Sequence, residues 1–240
     1  MTAPHPITLT NVSYTVLGKP ILHGLTLTLT EPRIGIIGRN GSGKTTLLRL
    51  IAGLIAPTSG TVRHGATDPA RDRKATLARL GILFQNPDHQ ILFPTVEEEL
   101  AFGLTQQGHP APAQAVADLL HQESRSHWAR AATHTLSQGQ RHYLCLLAVL
   151  LMNPATLLLD EPFAGLDLPT QARLKRRLHA LPQQIITISH DPASVTDNDR
   201  ILWLDHGRLR ADGPSALVLP QFTAEMERIG QSDADTTLPG

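Results

Sequence analysis

Apolar and polar residues alternate over residues 7–16 and again over 25–29, the period of strands with one buried face, and both are expected to pair antiparallel. A short apolar run at 33–37 leads into a glycine-rich turn. A helical stretch follows at 45–54 and stops before Pro57 and Gly60. Residues 80–84 read as a second buried strand. From 86 to 136 strand signals fade, and helical spacing is found at 96–106, 114–122 and more faintly at 126–132, with a Gly/Pro loop at 108–113. The earlier pattern returns as a helix at 138–151, a strand at 156–159, a helix at 169–181 with proline in its first turn, and a strand at 185–188. Residues 200–205 and 208–211 form a hairpin around His206-Gly207. Strands alternating with helices predict a parallel α/β core interrupted by helices. The expected boundaries are a core over 1–85 and 141–230, a helical insertion over 86–140 and a small, polar, disordered tail over 231–240.

Composition changes this picture little. At 240 residues, with 41% hydrophobic and 18% charged, the chain can bury one substantial core. Lys plus Arg and Asp plus Glu are both 21, and a zero balance argues against nucleic acid as a partner. The single cysteine, Cys145, allows no intrachain disulfide and fits a reducing compartment. The longest apolar run, 144–152, is about half of the roughly 20 residues a spanning helix needs, and no signal peptide is recognised at the N-terminus. The expectation is a soluble protein that reaches any membrane through a partner.

The chemistry begins in the turn after 33–37. Gly38, Arg39, Asn40, Gly41, Ser42, Gly43, Lys44 and Thr45 match G-x-x-x-x-G-K-S/T between a strand and a helix. Glycines let successive backbone N–H groups converge on an anion, and the helix N-terminus adds positive potential. Lys44 would reach the outer phosphates, and the Thr45 hydroxyl, with Thr46 beside it, would face Mg²⁺. A second apolar strand delivers Asp160 and Glu161 at its C-terminal end, where ligands of open α/β sheets bind. Asp160 suits the Mg²⁺ shell, and Glu161 suits orienting or deprotonating the attacking water. Asp-Glu-Pro also starts loops well; beside the phosphate loop, the two motifs together predict a Mg²⁺-dependent nucleoside triphosphatase.

Leu136-Ser137-Gln138-Gly139-Gln140 precedes an apolar helix and taken alone is a capping motif. In order with the other two it resembles the signature of the ATP-binding-cassette (ABC) ATPases, and the resemblance covers about residues 7–228. It implies a RecA-like P-loop NTPase core with an antiparallel β subdomain and an inserted α-helical subdomain, the ABC nucleotide-binding domain, using ATP and Mg²⁺. Residue by residue it implies that Tyr14 stacks on adenine, and that Gln85 senses Mg²⁺ and the γ-phosphate. Asp167 would touch the opposite subunit and His190 the γ-phosphate, while Ser137, Gly139 and Gln140 would meet the nucleotide of a second copy. The catalytic set is then Glu161, His190, Gln85 and Lys44, the metal set Thr45, Gln85 and Asp160, and the working unit a dimer with itself or a homologous ATPase. Two departures stand out. Gln138 replaces a glycine, and His142-Tyr143 stands where the family usually has Gln-Arg.

Residues 85–93 and 95–104 are similar to the corresponding stretches of energy-coupling-factor (ECF) importers. That resemblance implies a transmembrane coupling protein docking here, with Asp88 as acceptor for an arginine, and a second, substrate-binding membrane protein. Work at the cytoplasmic face of the cell membrane follows from it. The cargo of such systems is a vitamin, for which biotin is preferred here, with cobalt or nickel as the alternative. The alternative to a transporter subunit is a nucleotide-gated interaction module.

Overall fold

The computed structural model describes residues 6–231; the tail expected to be disordered lies, beyond Gln231, outside the described residues. In chain order the strands are β1 (Ile7–Val16), β2 (Lys19–Leu29), β3 (Arg33–Ile37), β4 (Ser59–His64), β5 (Leu80–Leu83), β6 (Thr156–Asp160), β7 (Gln184–Ser189), β8 (Arg200–Asp205) and β9 (Arg208–Gly213). The helices are α1 (Lys44–Ile51), α2 (Arg73–Leu77), α3 (Val96–Gln106), α4 (Pro112–Gln122), α5 (Gln138–Leu151), α6 (Leu168–His179) and α7 (Ser215–Gly230).

One sheet has the order β2-β1-β4 and is antiparallel throughout. Strict alternation along β1 fails between Leu9 and Val12, where the register shifts and Asn11 takes a φ of 47°. The bulge turns Val12 to the face that already buries Ile7 and Leu9, and asparagine tolerates that backbone better than most residues. The other sheet has the order β5-β6-β7-β3-β8-β9, parallel except for the last strand. Its central strands β6 and β7 are buried at every position, which is why they read as mostly apolar without a polar face.

One expectation needs correction, and one helix was not expected. The third helical segment of the insertion shrinks to a single 3₁₀ turn, Ser126–Trp128. The carbonyls of Ala129 and Ala131 accept the N–H groups of Glu97 and Val96 at 3.0 and 3.1 Å, so this stretch completes the open first turn of α3 instead of continuing as helix. The C-terminal helix α7 was masked by Pro214 and Pro220; it forms because Val218, Leu219 and Phe222 bury against Trp203 and Ile201 of β8.

α5 belongs to both halves of the molecule. Cys145, Leu146 and Val149 pack with Leu83, Leu157 and Leu174 of the α/β core, whereas Leu144 and Leu147 pack with Val96, Leu100 and Leu120 of α3 and α4. The helical insertion is therefore mounted on a core helix that begins at its signature residues. Among the described residues no helix is long and apolar enough to cross a membrane.

Candidate functional site

Three neighbouring strands, β6, β7 and β3, end on the same edge of the sheet and bring together residues more than 140 positions apart in the chain. β3 runs into Gly38. A side chain there would meet the Leu204 carbonyl at 2.3 Å, so only glycine fits between the loop and β8. Gly43 caps α1 with a φ of 99° and lies against Leu22 of β2, another place that admits no Cβ. Lys44 is buried, and its ammonium donates to the carbonyls of Gly38 and Arg39 at 2.7 and 3.0 Å, bridging the mouth of the loop. Burial draws its pKa below the usual lysine range, while Glu161 and Asp160 oppose that shift.

Asp160 is also buried, and burial followed by the neighbouring Glu161 raises its pKa; Arg49, Lys44 and a hydrogen bond to Thr45 pull the other way. Thr45 and Asp160, expected on one metal, are therefore in direct contact. Hydroxyl and carboxylate oxygens are the donors a Mg²⁺ ion takes, with waters and substrate phosphates completing its shell, so the residues present fit that ion. Gln85 is exposed in the loop after β5, the strand that flanks β6.

Glu161 adopts a φ of 49°, and its N–H is held by the Ile188 carbonyl at 2.9 Å. Its carboxylate is clamped by the end of β7. Oε1 accepts the His190 N–H at 2.9 Å and lies 2.7 Å from His190 Nδ1, and Oε2 accepts the Ser189 hydroxyl at 3.0 Å. A carboxylate can only accept, so Nδ1 carries the proton in this arrangement. Glu161 and His190 form one unit. Ser189, which no motif singled out, is its third member, and only the pairing of β6 with β7 reveals it.

The signature lies elsewhere on the chain. Ser137 and Gln140 form a capping box at the start of α5, the serine hydroxyl accepting from the Gln140 N–H at 3.3 Å and Gln140 Oε1 from the Ser137 N–H at 2.7 Å. Asp167 caps α6 through the Thr170 N–H at 2.8 Å, and a hydrogen bond from the Thr170 side chain, followed by this backbone one, lowers its pKa. Ser137, Gly139, Gln140 and Asp167 line one cavity of about 410 Å³, together with Arg125, Trp128, Tyr143, Thr170 and Arg173. None of the phosphate-loop residues, nor Gln85, Asp160, Glu161 or His190, borders it. The phosphate loop and the signature cavity are thus separate places on one chain.

Two of the departures from the family pattern, Gln138 and Tyr143, have structural partners. The Gln138 amide lies against Gly165, which has a φ of 70°, so it fills space between the signature and the Asp167 loop. The Tyr143 hydroxyl donates to Glu123, whose other oxygen pairs with Arg177 of α6 at 2.9 Å, and the Arg125 guanidinium stacks on the rings of Tyr143 and Trp128. His142 is fully buried.

Tyr14 is not displayed as a free ring. It pairs with Leu22 across β1 and β2 and packs, half-buried, on the core formed by β1, β2 and α1, leaving Val16 and Leu17 as the exposed apolar tip of that hairpin. Of the three glutamates that open α3, two do local work. Glu98 completes a capping box with Thr95, and the buried Glu99 accepts the N–H groups of Leu92 and Phe93 at 2.8 and 2.9 Å. Glu97 and Glu98 rim an apolar groove of about 220 Å³ between α3 and α4, floored by Ala101, Val116 and Leu120.

Comparison with known proteins agrees with this geometry. A family model described as ABC transporter matches residues 22–164. The chain is 49% identical to the biotin transport ATP-binding protein BioM of Rhodobacter capsulatus, over 90% of this chain and 94% of that one. It is 32% identical to the energy-coupling factor transporter ATP-binding protein EcfA1 of Mycoplasma pneumoniae, over 88% of this chain and 79% of that one. Among solved structures it resembles cbiO1 of Clostridium perfringens, part of the ABC transporter complex cbiONQ, with a TM-score of 0.77 and 27% identity over 97% and 96% of the two chains. On a matching fold and sequence, the chain belongs to the ABC transporter family, as an ATPase subunit of the energy-coupling-factor type.

Proposed function

We propose that this chain binds ATP between the phosphate loop of one copy and the signature cavity of a second copy or a homologous ATPase, and that hydrolysis there drives a vitamin importer at the cytoplasmic face of the membrane, with biotin as cargo. The observation that carries the reading is that the phosphate loop and the signature cavity lie apart on one chain and share no lining residue. The identity to a biotin transport ATP-binding protein over 90% of the chain supports the cargo.

Lys44 would leave the Gly38 and Arg39 carbonyls for the β- and γ-phosphates, exchanging neutral acceptors for charged ones. Thr45, Asp160 and Gln85 would hold Mg²⁺, which supplies charge neutralisation at the phosphates. Glu161 orients the attacking water and takes its proton, while His190, held on Glu161 before substrate arrives, turns to the γ-phosphate. Ser137, Gly139 and Gln140 close the site from the other copy at a helix N-terminus, the N–H groups of Ser137 and Gln140 exchanging their capping-box acceptors for phosphate oxygens. The groove beside Glu97 receives a segment of the transmembrane coupling protein, next to a substrate-binding membrane protein.

Co-expression with candidate membrane partners, reconstitution in vesicles and ATP-driven uptake of labelled biotin, Co²⁺ or Ni²⁺ is the test. Biotin uptake that disappears in Lys44→Ala, with ATP affinity reduced at least about 100-fold, is the expected result. Uptake of a metal instead overturns the cargo. Undiminished uptake and ATP affinity in Lys44→Ala overturns the site.

A further inference from the structure

One side chain joins two segments that, in the reading above, face different nucleotides. Arg141 lies in the first turn of α5 and is mostly buried. Its Nη1 donates to the carbonyl of Leu136, the residue before Ser137, at 2.6 Å. Its Nε lies 2.9 Å from Asp88 Oδ1, an ionic contact rather than an aligned hydrogen bond. Asp88 sits in the 3₁₀ turn Pro87–His89, three residues beyond Gln85.

That turn is stiff. Asn86 Oδ1 caps it by accepting the Asp88 N–H at 2.9 Å, and the Pro87 carbonyl accepts from Gln90 and Ile91 at 2.9 and 3.0 Å. The Gln90 side chain returns to the end of β5, accepting from the Phe84 N–H at 3.2 Å and donating to the Ile82 carbonyl at 3.3 Å. Pro87 is buried, its carbonyl 4.0 Å from Cys145 Sγ on α5. The turn therefore moves as a body with the chain that carries Gln85. A guanidinium is a rigid planar fork, so a displacement of Asp88 either carries the Leu136 carbonyl with it or breaks a contact.

We infer that Arg141 is a positioning residue that couples the two nucleotide sites of the assembled ATPase: through Asp88 it makes the signature loop, facing the partner copy's nucleotide, follow the Gln85 segment beside the chain's own. The inference rests on the composite-site reading above. It also alters the role expected for Asp88. A cation arriving from a membrane partner would have to share that carboxylate with Arg141, and docking would then be felt at Leu136 as well.

The test uses the full chain with ATP, measuring affinity by direct binding of a fluorescent ATP analogue and turnover across ATP concentrations. Arg141→Met is expected to leave binding within about twofold, to lower kcat about tenfold and to move the Hill coefficient from near 2 to near 1. Asp88→Asn, at an exposed position that the fold tolerates, reproduces the pattern, and the double variant is no worse than either single one because both cut the same link. Arg141→Lys, a point charge without the fork, falls between wild type and Arg141→Met. A wild-type Hill coefficient of 1, an unchanged coefficient in both single variants, or fully additive losses in the double variant overturns the coupling. Failure of the function itself is a different result: a wild-type chain that neither binds nor hydrolyses ATP.

Discussion

His142 is a histidine inside a hydrophobic interface, and burial pushes its pKa down to about 4. An unfolded histidine titrates near 6.5, so between about pH 6.5 and 4 the unfolded chain binds a proton that the native one refuses. The neutral side chain favours folding fully above pH 6.5, and that contribution, about 3 kcal/mol by the difference of the two values, is lost as pH falls toward 4. His142→Gln, which restores the usual family residue, should flatten the dependence of Tm on pH in this window. Parallel curves for the two proteins would show that His142 titrates normally. Position 142 was legible in the sequence as a departure. Its complete burial was not, because spacing along α5 cannot say that both faces of this helix are covered.

At the scale of elements, the periodic signal worked where one face is buried and failed where packing overrides it. β1, α3 and α5 match their expected bounds because apolar positions recur along each of them, in β1 despite the bulge at Asn11 and in α5 on two buried faces. β4 escaped notice because it is an edge strand that buries only Val62 and His64, so its residues look like a loop until β1 pairs with it. The join between the helical insertion and the core was equally invisible. It is made by Glu123, just past α4, which holds Tyr143 of α5 and Arg177 of α6 at once. Removing one partner of a partly buried pair strands the other charge. Arg177→Met is expected to lower unfolding stability in urea by about 2 kcal/mol, and Glu123→Gln together with Arg177→Met by less than the sum of the two. Additive losses would mean that the two side chains are independent despite their 2.9 Å contact.

For the whole molecule, the question is how a chain with no spanning helix among its described residues acts on a membrane system. The groove between α3 and α4 offers apolar area with an acidic rim of Glu97 and Glu98, of which Glu98 is held in the capping box with Thr95. Glu97→Lys should therefore weaken association with the membrane partners about tenfold in a pull-down titration, leaving the Tm of the isolated chain within about 1 °C. Full association by that variant would move the docking surface away from α3.

What the sequence determined alone is local: the phosphate loop, the acidic pair, the signature cap and the order in which they occur. Each is short, and its chemistry depends on neighbours along the chain, on glycines that free the backbone and on a helix start that gathers N–H groups. What only the tertiary structure decided is who meets whom. Pairing of β6 with β7 seats His190 and Ser189 on Glu161, packing of α5 against α6 places Gln138 on Gly165, and the turn after β5 delivers Asp88 to Arg141. Those contacts join residues 27 or more positions apart, and no periodicity or motif encodes the meeting of two elements, because their registry is set by the burial of the whole core.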